Sequence, residues 1–414
     1  MSIRNVILIL YFAQLAFTIL LRFISYMGDT SPEIHESILK YFTEEDIQNG
    51  IEYERRGFFA SLASDLLDFT LAGLIVFTPL SVKLENYLLR KTNDRFYLSV
   101  ALFLLILSFA KFLVELPFNF YFGYVLEHEF GFSAMTISDW IIFTGKSLAI
   151  GIVIMTLIGL GAAYILRKFQ NVWKYLIPLG ALILGLLFSV LFPILITPLF
   201  YEYHPIEEGN LKHKIVQLCD RAKIEVSEVY VINESKYSGH TNAYFTGWGS
   251  NRKIFLYDTL IKNHTEEEVI SVLGHEIGHW THNHQIKDIA ISTLETLALC
   301  FIVSFIFLKT KREGKIPLKE FYSPSTLPFL FLILSLIGTI TKPAWSTFSR
   351  MQEAEADMEA LILTNDKKAF IGAEQKLAKD NKSRLNPNRW EVIYNHSHPT
   401  TLERIDMAEK YSAP

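Results

Sequence analysis

The chain has 414 residues, of which 50% are hydrophobic and 14% aromatic, and its formal net charge is −4. This composition is too apolar for an ordinary soluble enzyme of this size, and the charge argues against a nucleic-acid partner. Two cysteines, Cys219 and Cys300, are too few for a disulfide framework.

The hydrophobic residues are concentrated in seven runs, each near the roughly 20 apolar residues that cross a bilayer. We place these spans at about residues 5–23, 58–82, 97–122, 141–166, 173–200, 286–308 and 326–348. The first run follows Arg4 and could be mistaken for a signal sequence. Arg22 bounds it and no small-residue cleavage site follows, so we predict a retained helix. The chain is therefore predicted to be a mainly α-helical, polytopic membrane protein.

Charged residues lie inside several of these spans, namely Asp65, Asp68, Lys111, Glu115, Lys146, Glu295 and Lys342. A charge at that depth is costly unless it is paired or faces water, so these residues indicate an interior cavity or polar network. Lys111 and Glu115 are one helical turn apart and can neutralise each other. The alternative is that the span boundaries are shifted and some of these charges lie at the membrane interface.

The stretch SVLGHEIGHWTHNH, residues 271–284, contains the pattern His-Glu-x-x-His. On a helix, His275 and His279 lie one turn apart on one face and can bind one zinc ion, while Glu276 can accept a proton from water at the metal. Thr265, followed by three glutamates, predicts the N-cap of that helix. The pattern also arises by chance, and a buried helix with satisfied histidines is the alternative.

A catalytic zinc takes three protein ligands and keeps one position open. The longer HExxHxxGxxH arrangement fails, because His282 and Gln285 occupy its glycine and last histidine positions. The intramembrane site-2 arrangement needs an Asp-Gly pair, which the chain lacks. A glutamate from a separate helix remains as the third ligand.

The segment SRMQEAEADMEA, residues 349–360, has strongly helical composition and directly follows the last span. Glu353 and Asp357 lie one turn apart, so Glu353 can bind the metal while Asp357 supports a ligand histidine from behind. An ordinary solvated acidic helix with Glu355 and Glu359 outside is equally consistent with the sequence.

A hairpin is predicted just before the His-Glu-x-x-His helix. Residues 242–246 and Lys253–Tyr257 have strand character and are joined by a Gly-rich turn. An edge strand beside a metal can pair with an extended peptide. A purely structural hairpin is at least as consistent with this segment alone.

Four segments, HEIGHW, SRMQEAEAD, HTNAYFTG and NHSHPTTLERI, together with seven spans, resemble the type I CAAX prenyl protease family of integral-membrane zinc metalloproteases. Residues 127–140 and 193–212 resemble further family segments, so the likeness covers nearly the whole chain. The resemblance implies seven tilted helices around a water-filled intramembrane chamber, capped by a gluzincin-like zinc protease domain with a small β-hairpin or sheet.

The resemblance also implies a division of the chain. Residues 1–200 would form membrane helices 1–5, and residues 286–348 would form helices 6 and 7. Residues 201–285 would form the protease domain with the HExxH helix, and residues 349–414 would complete it.

Residue by residue, the resemblance makes His275, His279 and Glu353 the ligands of one Zn²⁺, with Glu276 as the general base. The remaining histidines near the motif and in the last segment are expected at the surface or behind the ligands. They are His240, His282, His284 and His396.

Four further residues match family positions. Asn242 and Ala243 match the strand that aligns the substrate. His398 matches the histidine that stabilises the transition state, and Arg404 is its companion basic residue. Pro399 disfavours a helical conformation at His398, as suits a side chain presented from a loop.

The function implied is that of a membrane-embedded zinc metalloendopeptidase, cleaving near the C-terminus of CAAX-type substrates, prenylated or not, with Glu276 assisting attack by zinc-bound water. The partners expected are a peptide or protein substrate and the lipid bilayer, with no nucleic acid. One alternative is a membrane-protein quality-control protease of the HtpX kind, whose shorter four-span plan fits poorly. The other is a channel, transporter or receptor with a structural zinc site.

Two arguments about the orientation in the membrane disagree. Basic residues gather at Arg4 and in loops 83–95, 167–174 and 309–319, all on one side, so the positive-inside rule places the zinc domain outside the cytoplasm. The resemblance implies a cytosol-facing zinc domain. We expect the latter, because long domains and polar chamber helices weaken the rule.

Overall fold

The computed structural model describes residues 1–226, 228–246 and 252–412. Helices dominate the first half of the chain: α1 (Ile3–Met27), α2 (Pro32–Leu39), α3 (Glu44–Phe77), α4 (Leu80–Lys91), α5 (Phe96–Phe120), α6 (Glu127–Glu129), α7 (Ile137–Lys168), α8 (Trp173–Leu191) and α9 (Thr197–Phe200). Two π-helical stretches, Tyr121–Leu126 and Phe192–Ile196, continue α5 and α8.

The second half mixes a small sheet with helices. Its helices are α10 (Asn210–Arg221), α11 (Asp258–Asn263), α12 (Glu266–Thr281), α13 (His284–Glu313), α14 (Leu327–Thr364), α15 (Lys367–Asp380), α16 (Arg389–Asn395) and α17 (Thr401–Lys410). Its strands are β1 (Tyr203–Pro205), β2 (Glu228–Ile232), β3 (Ala243–Thr246) and β4 (Lys253–Tyr257). We call the sheet, α10–α12, the C-terminal half of α14 and α15–α17 the sheet domain.

Among the described residues, seven helical segments are long and apolar enough to cross a membrane. They are Ile3–Met27, Glu44–Phe77, Phe96–Glu129, Ile137–Lys168, Trp173–Leu191, His284–Glu313 and Pro324–Thr364. The number and order of the predicted spans are confirmed, and the chain is an integral, multi-pass membrane protein.

Two predicted boundaries are wrong. The second span was placed at 58–82, but α3 ends at Phe77 and Thr78 is extended. Pro79 accounts for the break, because the residue before a proline is disfavoured in the helical conformation. The acidic segment at 349–360 was expected as a separate helix, yet α14 runs unbroken from the last span through it, with Pro343 inside.

Six of the seven charged residues predicted inside the spans have polar partners. The contacts are Arg22 Nε to Asp65 Oδ2 at 2.7 Å, Lys342 Nζ to Asn395 Oδ1 at 2.7 Å, Trp345 Nε1 to Glu295 Oε2 at 3.0 Å, Lys146 Nζ to the Leu199 carbonyl at 2.9 Å, and an ion pair between Lys111 and Glu115. These partners offset the cost of placing charge at membrane depth. These contacts are separate pairs, and a polar network around a water-filled chamber stays a prediction.

The sheet has the strand order β1-β2-β4-β3. β2 pairs with β4 in parallel, and β3 pairs with β4 antiparallel, with Ala243 opposite Leu256. The predicted hairpin is therefore confirmed, although its turn at 247–251 lies outside the described residues. The order places β3 at the edge of the described sheet.

The core of the sheet domain lies between the sheet, α10 and α12. Ile215, Leu218, Leu256, Leu273 and Ile277 are all fully buried there. Burying an aliphatic side chain of this size stabilises the fold by about 1.5–3 kcal/mol. This apolar contact fixes α12 beneath the sheet.

Helices α12 and α14 approach closely because small residues face each other. A Cβ placed on Gly278 would lie 2.6 Å from Ala356 Cα, and one on Gly274 would lie 3.2 Å from Ala360 Cα. Distances under 3.0 Å are sterically forbidden to a real side chain without movement of the backbone. The close approach brings Glu353 of α14 opposite the histidines of α12.

Candidate metal centre

Helix α12 presents the His-Glu-x-x-His segment, as the sequence predicts. Thr265 accepts a hydrogen bond from the Glu268 amide, and the Glu268 side chain accepts one from the Thr265 amide, so a capping box begins the helix. His275 and His279 follow on one face, one turn apart, with their Nε2 atoms 3.1 Å from each other.

Glu353 completes a three-donor cluster. Its carboxylate oxygens lie 3.2 Å from His275 Nε2 and 3.6 Å from His279 Nε2. A tetrahedral zinc with bonds of about 2.0–2.1 Å separates its donor atoms by roughly 3.3 Å. The spacing and the two-nitrogen, one-oxygen donor set therefore fit a zinc ion.

The Glu353 carboxylate supplies a second test of that fit. Its Oε2 atom is buried and makes no hydrogen bond of acceptable geometry, although His275 Nε2 and His398 Nε2 each lie 3.2 Å away. A buried carboxylate oxygen without a partner is strongly unfavourable. A cation held between Glu353 and the two histidines would satisfy it.

The second nitrogen of His275 is fixed by a buried carboxylate. Asp357 Oδ1 lies 2.7 Å from His275 Nδ1, and Asp357 is fully buried. Burial alone would lower the pKa of His275, but the charge and hydrogen bond of Asp357 raise it to about 10. With Nδ1 donating to Asp357, the Nε2 lone pair of His275 faces the metal position.

Arg404 lies behind Asp357 and also borders the cavity at this centre. Its Nε donates to Asp357 Oδ2 at 2.8 Å, and its Nη1 contacts Glu374 Oε2 at 2.6 Å. The Arg404 side chain is only 14% exposed. Glu374 was missed by the sequence reasoning, since no spacing linked it to the motif.

Two residues lie behind His279: His284, which was expected at the surface or behind the ligands, and Glu355, whose contact was missed. His279 Nδ1 lies 2.9 Å from His284 Nδ1, and His284 Nε2 lies 3.0 Å from Glu355 Oε2. Asn283, in the left-handed conformation with φ 55°, separates α12 from α13. This turn places His284 under His279, an arrangement that helical spacing does not predict.

Glu276 lies beside the cluster without belonging to its donor face. Burial raises the pKa of the Glu276 carboxyl, and His275 and His279 act in the opposite direction. The side chain lines both cavities at this centre. A half-buried carboxylate with a raised pKa suits proton transfer near neutral pH.

The two cavities meet at Glu276. The larger, about 860 Å³, is lined among others by Asn242, Glu276 and His398. The smaller, about 250 Å³, is lined among others by Phe245, Glu276 and Trp280. Asn242 directly precedes β3 and Phe245 lies within it, so both cavities border this edge strand, and we call the two together the groove along β3.

The other predicted residues line this groove or border it. Asn242 is exposed, and its carbonyl accepts from the Tyr257 amide at 3.1 Å. Ala243 is 2% exposed at the start of β3. The His398 side chain is 56% exposed, with Nδ1 2.9 Å from Ser397 Oγ and Nε2 facing Glu353.

Comparison with known proteins identifies the family. Residues 205–412 match the family described as Peptidase family M48. Residues 7–202 match the description CAAX prenyl protease N-terminal, five membrane helices. This chain belongs to peptidase family M48. It is therefore a membrane metallopeptidase of the CAAX prenyl protease-like type, as the sequence analysis expected, and its substrates are peptides.

A solved structure and two sequence relatives are consistent with this family. The crystal structure of Ste24p from S. mikatae superposes with a TM-score of 0.86 at 27% identity, covering 99% of this chain and 100% of that chain. CAAX prenyl protease 1 of Saccharomyces cerevisiae is 32% identical, over 75% of this chain and 72% of its own. A Bacillus subtilis relative named Uncharacterized metalloprotease YhfN is 29% identical, over 83% of this chain and 81% of its own.

Proposed function

We propose that this M48 peptidase hydrolyses a peptide bond near the C-terminus of CAAX-type substrates, prenylated or not. The observation that carries the proposal is the groove along β3, in which Glu276 and the three-donor cluster lie where the two cavities meet. Relatives named CAAX prenyl protease 1 in two yeasts support the substrate class.

In this proposal, His275, His279 and Glu353 hold one Zn²⁺ per chain. When bound, zinc supplies a Lewis acid that polarises the substrate carbonyl and lowers the pKa of the attacking water. Asp357 holds His275 in the tautomer that presents Nε2, and Arg404 holds Asp357. Arg404 thereby acts through positioning rather than through contact with the substrate.

Glu276 is the general base. Its carboxylate accepts the proton of the attacking water and later delivers that proton to the leaving amine. His398 extends into the larger cavity from the loop before α17, where its imidazole can donate to the oxyanion of the tetrahedral intermediate. Glu353 Oε2 lies 3.2 Å from His398 Nε2, so the His398 imidazole lies beside the metal position.

The substrate would extend the sheet at β3. Antiparallel pairing is the slightly more stable mode, and Asn242 together with the main chain of Ala243 would align the peptide. That direction places the N-terminal side of the substrate near Phe245 and its C-terminal side near Asn242. The larger cavity, on the Asn242 side, would receive the residues after the cleaved bond, including the chain end.

Neither alternative function accounts for these features as well. A quality-control protease of the HtpX kind does not explain the match to a five-helix CAAX protease segment. A channel or receptor with structural zinc does not explain Glu276 placed beside the metal position in an open groove.

The substrate class is tested with quenched peptides on the purified, zinc-loaded protein in detergent. One peptide ends in a prenylated CAAX sequence, one lacks the prenyl group, and one carries the same sequence extended beyond its natural end. We expect cleavage of the peptides with a free CAAX end and little cleavage of the extended one. Equal cleavage of all three would support a quality-control protease, and cleavage of none by zinc-loaded protein would support a structural zinc.

We also propose that the sheet domain faces the cytosol. The family likeness supports this orientation, and the basic loops opposite the domain oppose it. Protease digestion of sealed, right-side-out vesicles should leave the sheet domain intact. Its digestion there would reverse the assignment.

A further inference from the structure

The second ligand histidine is backed by a histidine instead of a carboxylate. His279 Nδ1 lies 2.9 Å from His284 Nδ1, and His284 Nε2 lies 3.0 Å from Glu355 Oε2. His284 is 2% exposed, whereas the Glu355 side chain is 46% exposed and also lies 3.5 Å from Lys287 Nζ. The three groups thus form a chain that leads from the metal position to the surface.

Only one arrangement of protons satisfies this chain when His279 binds a metal through Nε2. The Nδ1 of His279 must then carry the proton and donate it to His284 Nδ1. His284 must accept at Nδ1, so its own proton lies on Nε2 and is donated to Glu355. Each hydrogen bond fixes the donor and the acceptor of the next. Because the Glu355 carboxylate can only accept, it determines the direction of both bonds.

We propose that His284 and Glu355 are positioning residues for zinc binding by His279. They fix its tautomer and its ring orientation. The inference rests on the proposed binding of zinc at His275, His279 and Glu353. It explains why the histidines of this segment continue beyond the His-Glu-x-x-His pattern.

The two ligand histidines are therefore held in different ways. His275 donates directly to the buried Asp357, which Arg404 fixes in turn. His279 is linked to a carboxylate only through the imidazole of His284, and that carboxylate, Glu355, is half-exposed. Supporting hydrogen bonds of this kind change metal affinity by about 10–100-fold.

The backbone makes the His284 contact possible. α12 ends at Thr281, and Asn283 takes the left-handed conformation before α13 begins at His284. Asparagine adopts this conformation more readily than most residues. His284 consequently lies at the first position of a membrane helix and still faces His279.

Two substitutions of His284 separate positioning from packing. In His284→Asn the amide oxygen takes the place of Nδ1 and can still accept from His279. In His284→Gln the amide takes the place of Nε2, so contact with Glu355 is kept while the acceptor for His279 is lost. Both variants are polar amides, so they disturb packing to a similar degree.

The measurement is the zinc dissociation constant of the purified protein in detergent, from competition with a chelator and without substrate. We expect His284→Gln to weaken zinc binding about 10–100-fold and His284→Asn to weaken it by less than about threefold. Glu355→Gln should have an intermediate effect. His213→Asn is the control, because His213 is exposed on α10 and belongs neither to the three-donor cluster nor to the chain of His284 and Glu355.

Unchanged zinc affinity in His284→Gln, or equal losses in both His284 variants, would overturn the proposal. If His284→Gln does not fold, Glu355→Gln decides, and wild-type affinity in that variant refutes the relay. A wild-type protein that binds no zinc would instead refute the proposed metal site. The two failures are thus distinguishable.

Discussion

The sheet domain and the membrane spans follow opposite rules of burial. In the sheet domain, Ile215 and Leu273 are fully buried, so apolar side chains are hidden from water. In the spans, Leu157 and Leu294 are both 65% exposed, while the Arg22–Asp65 pair is held between helices. The difference follows from the surrounding medium, because apolar side chains avoid water in the sheet domain but can face lipid in the spans.

Helix α14 belongs to both regions. Its N-terminal half forms most of the last span, and its C-terminal half carries Glu353 and Asp357 against α12. A substitution in the sheet domain should therefore affect catalysis, zinc binding or both, whereas a substitution between spans should affect stability alone. Four experiments test this division.

The largest effect is expected at Glu276. Glu276→Gln removes the base but none of the three metal donors, so kcat should fall by roughly a thousandfold or more while zinc is retained. His275→Ala should lose the metal itself. Metal analysis and peptide turnover check both variants, and zinc loss in Glu276→Gln equal to that in His275→Ala would refute the separate roles.

His398→Ala should lower kcat by roughly a hundredfold, because one donor to the oxyanion is lost. KM and zinc content should stay near wild type, since the imidazole would act only in the transition state. His396→Ala, two residues away, is the control and should be much milder. A loss confined to KM would mean that this loop only positions the substrate.

Gly278→Val tests the contact between α12 and the C-terminal half of α14 within the sheet domain. A side chain at this position collides with the Ala356 backbone, so separation of α12 from α14 should destabilise the protein by about 1–3 kcal/mol and weaken zinc binding. Gly161→Val is the matched control, because no heavy atom lies within 4 Å of a Cβ there. Thermal unfolding and zinc affinity distinguish the two, and equal behaviour would show that the close approach is dispensable.

The smallest effect is expected between spans. A double-mutant cycle of Arg22→Gln and Asp65→Asn should give a coupling of about 0.6 kcal/mol in unfolding in detergent, typical of polar contacts between membrane helices. Zinc affinity should not change in any of the variants. A change in zinc affinity would show that the spans and the metal centre are not separable in this way.

The spans and the metal motif could be predicted because both are local patterns. Span length and hydropathy identify membrane helices, and the four-residue spacing of His275 and His279 places both on one helical face. The continuity of α14 could not be predicted in this way. A fall in hydropathy near residue 349 marks the end of the apolar segment, but it does not mark the end of a helix.

Asp357 was predicted to support a ligand histidine, whereas the contacts of His284 and Glu374 were not predicted, for a different reason. Asn283 changes the chain direction within the histidine-rich segment, so the position of His284 does not follow from helical periodicity. Glu374 and Ala356 meet their partners only through tertiary packing. Nothing in the spacing of residues along the chain links such pairs.

The division of the sheet domain by two membrane spans has a consequence for biogenesis. His275 and His279 are synthesised before α13, and Glu353 is synthesised only after the last apolar segment. With the proposed ligands, a nascent chain arrested before residue 353 holds both ligand imidazoles but lacks the ligand carboxylate. On that proposal, high-affinity zinc binding requires the synthesis of α13 and most of α14, so an unfinished chain is an inactive one.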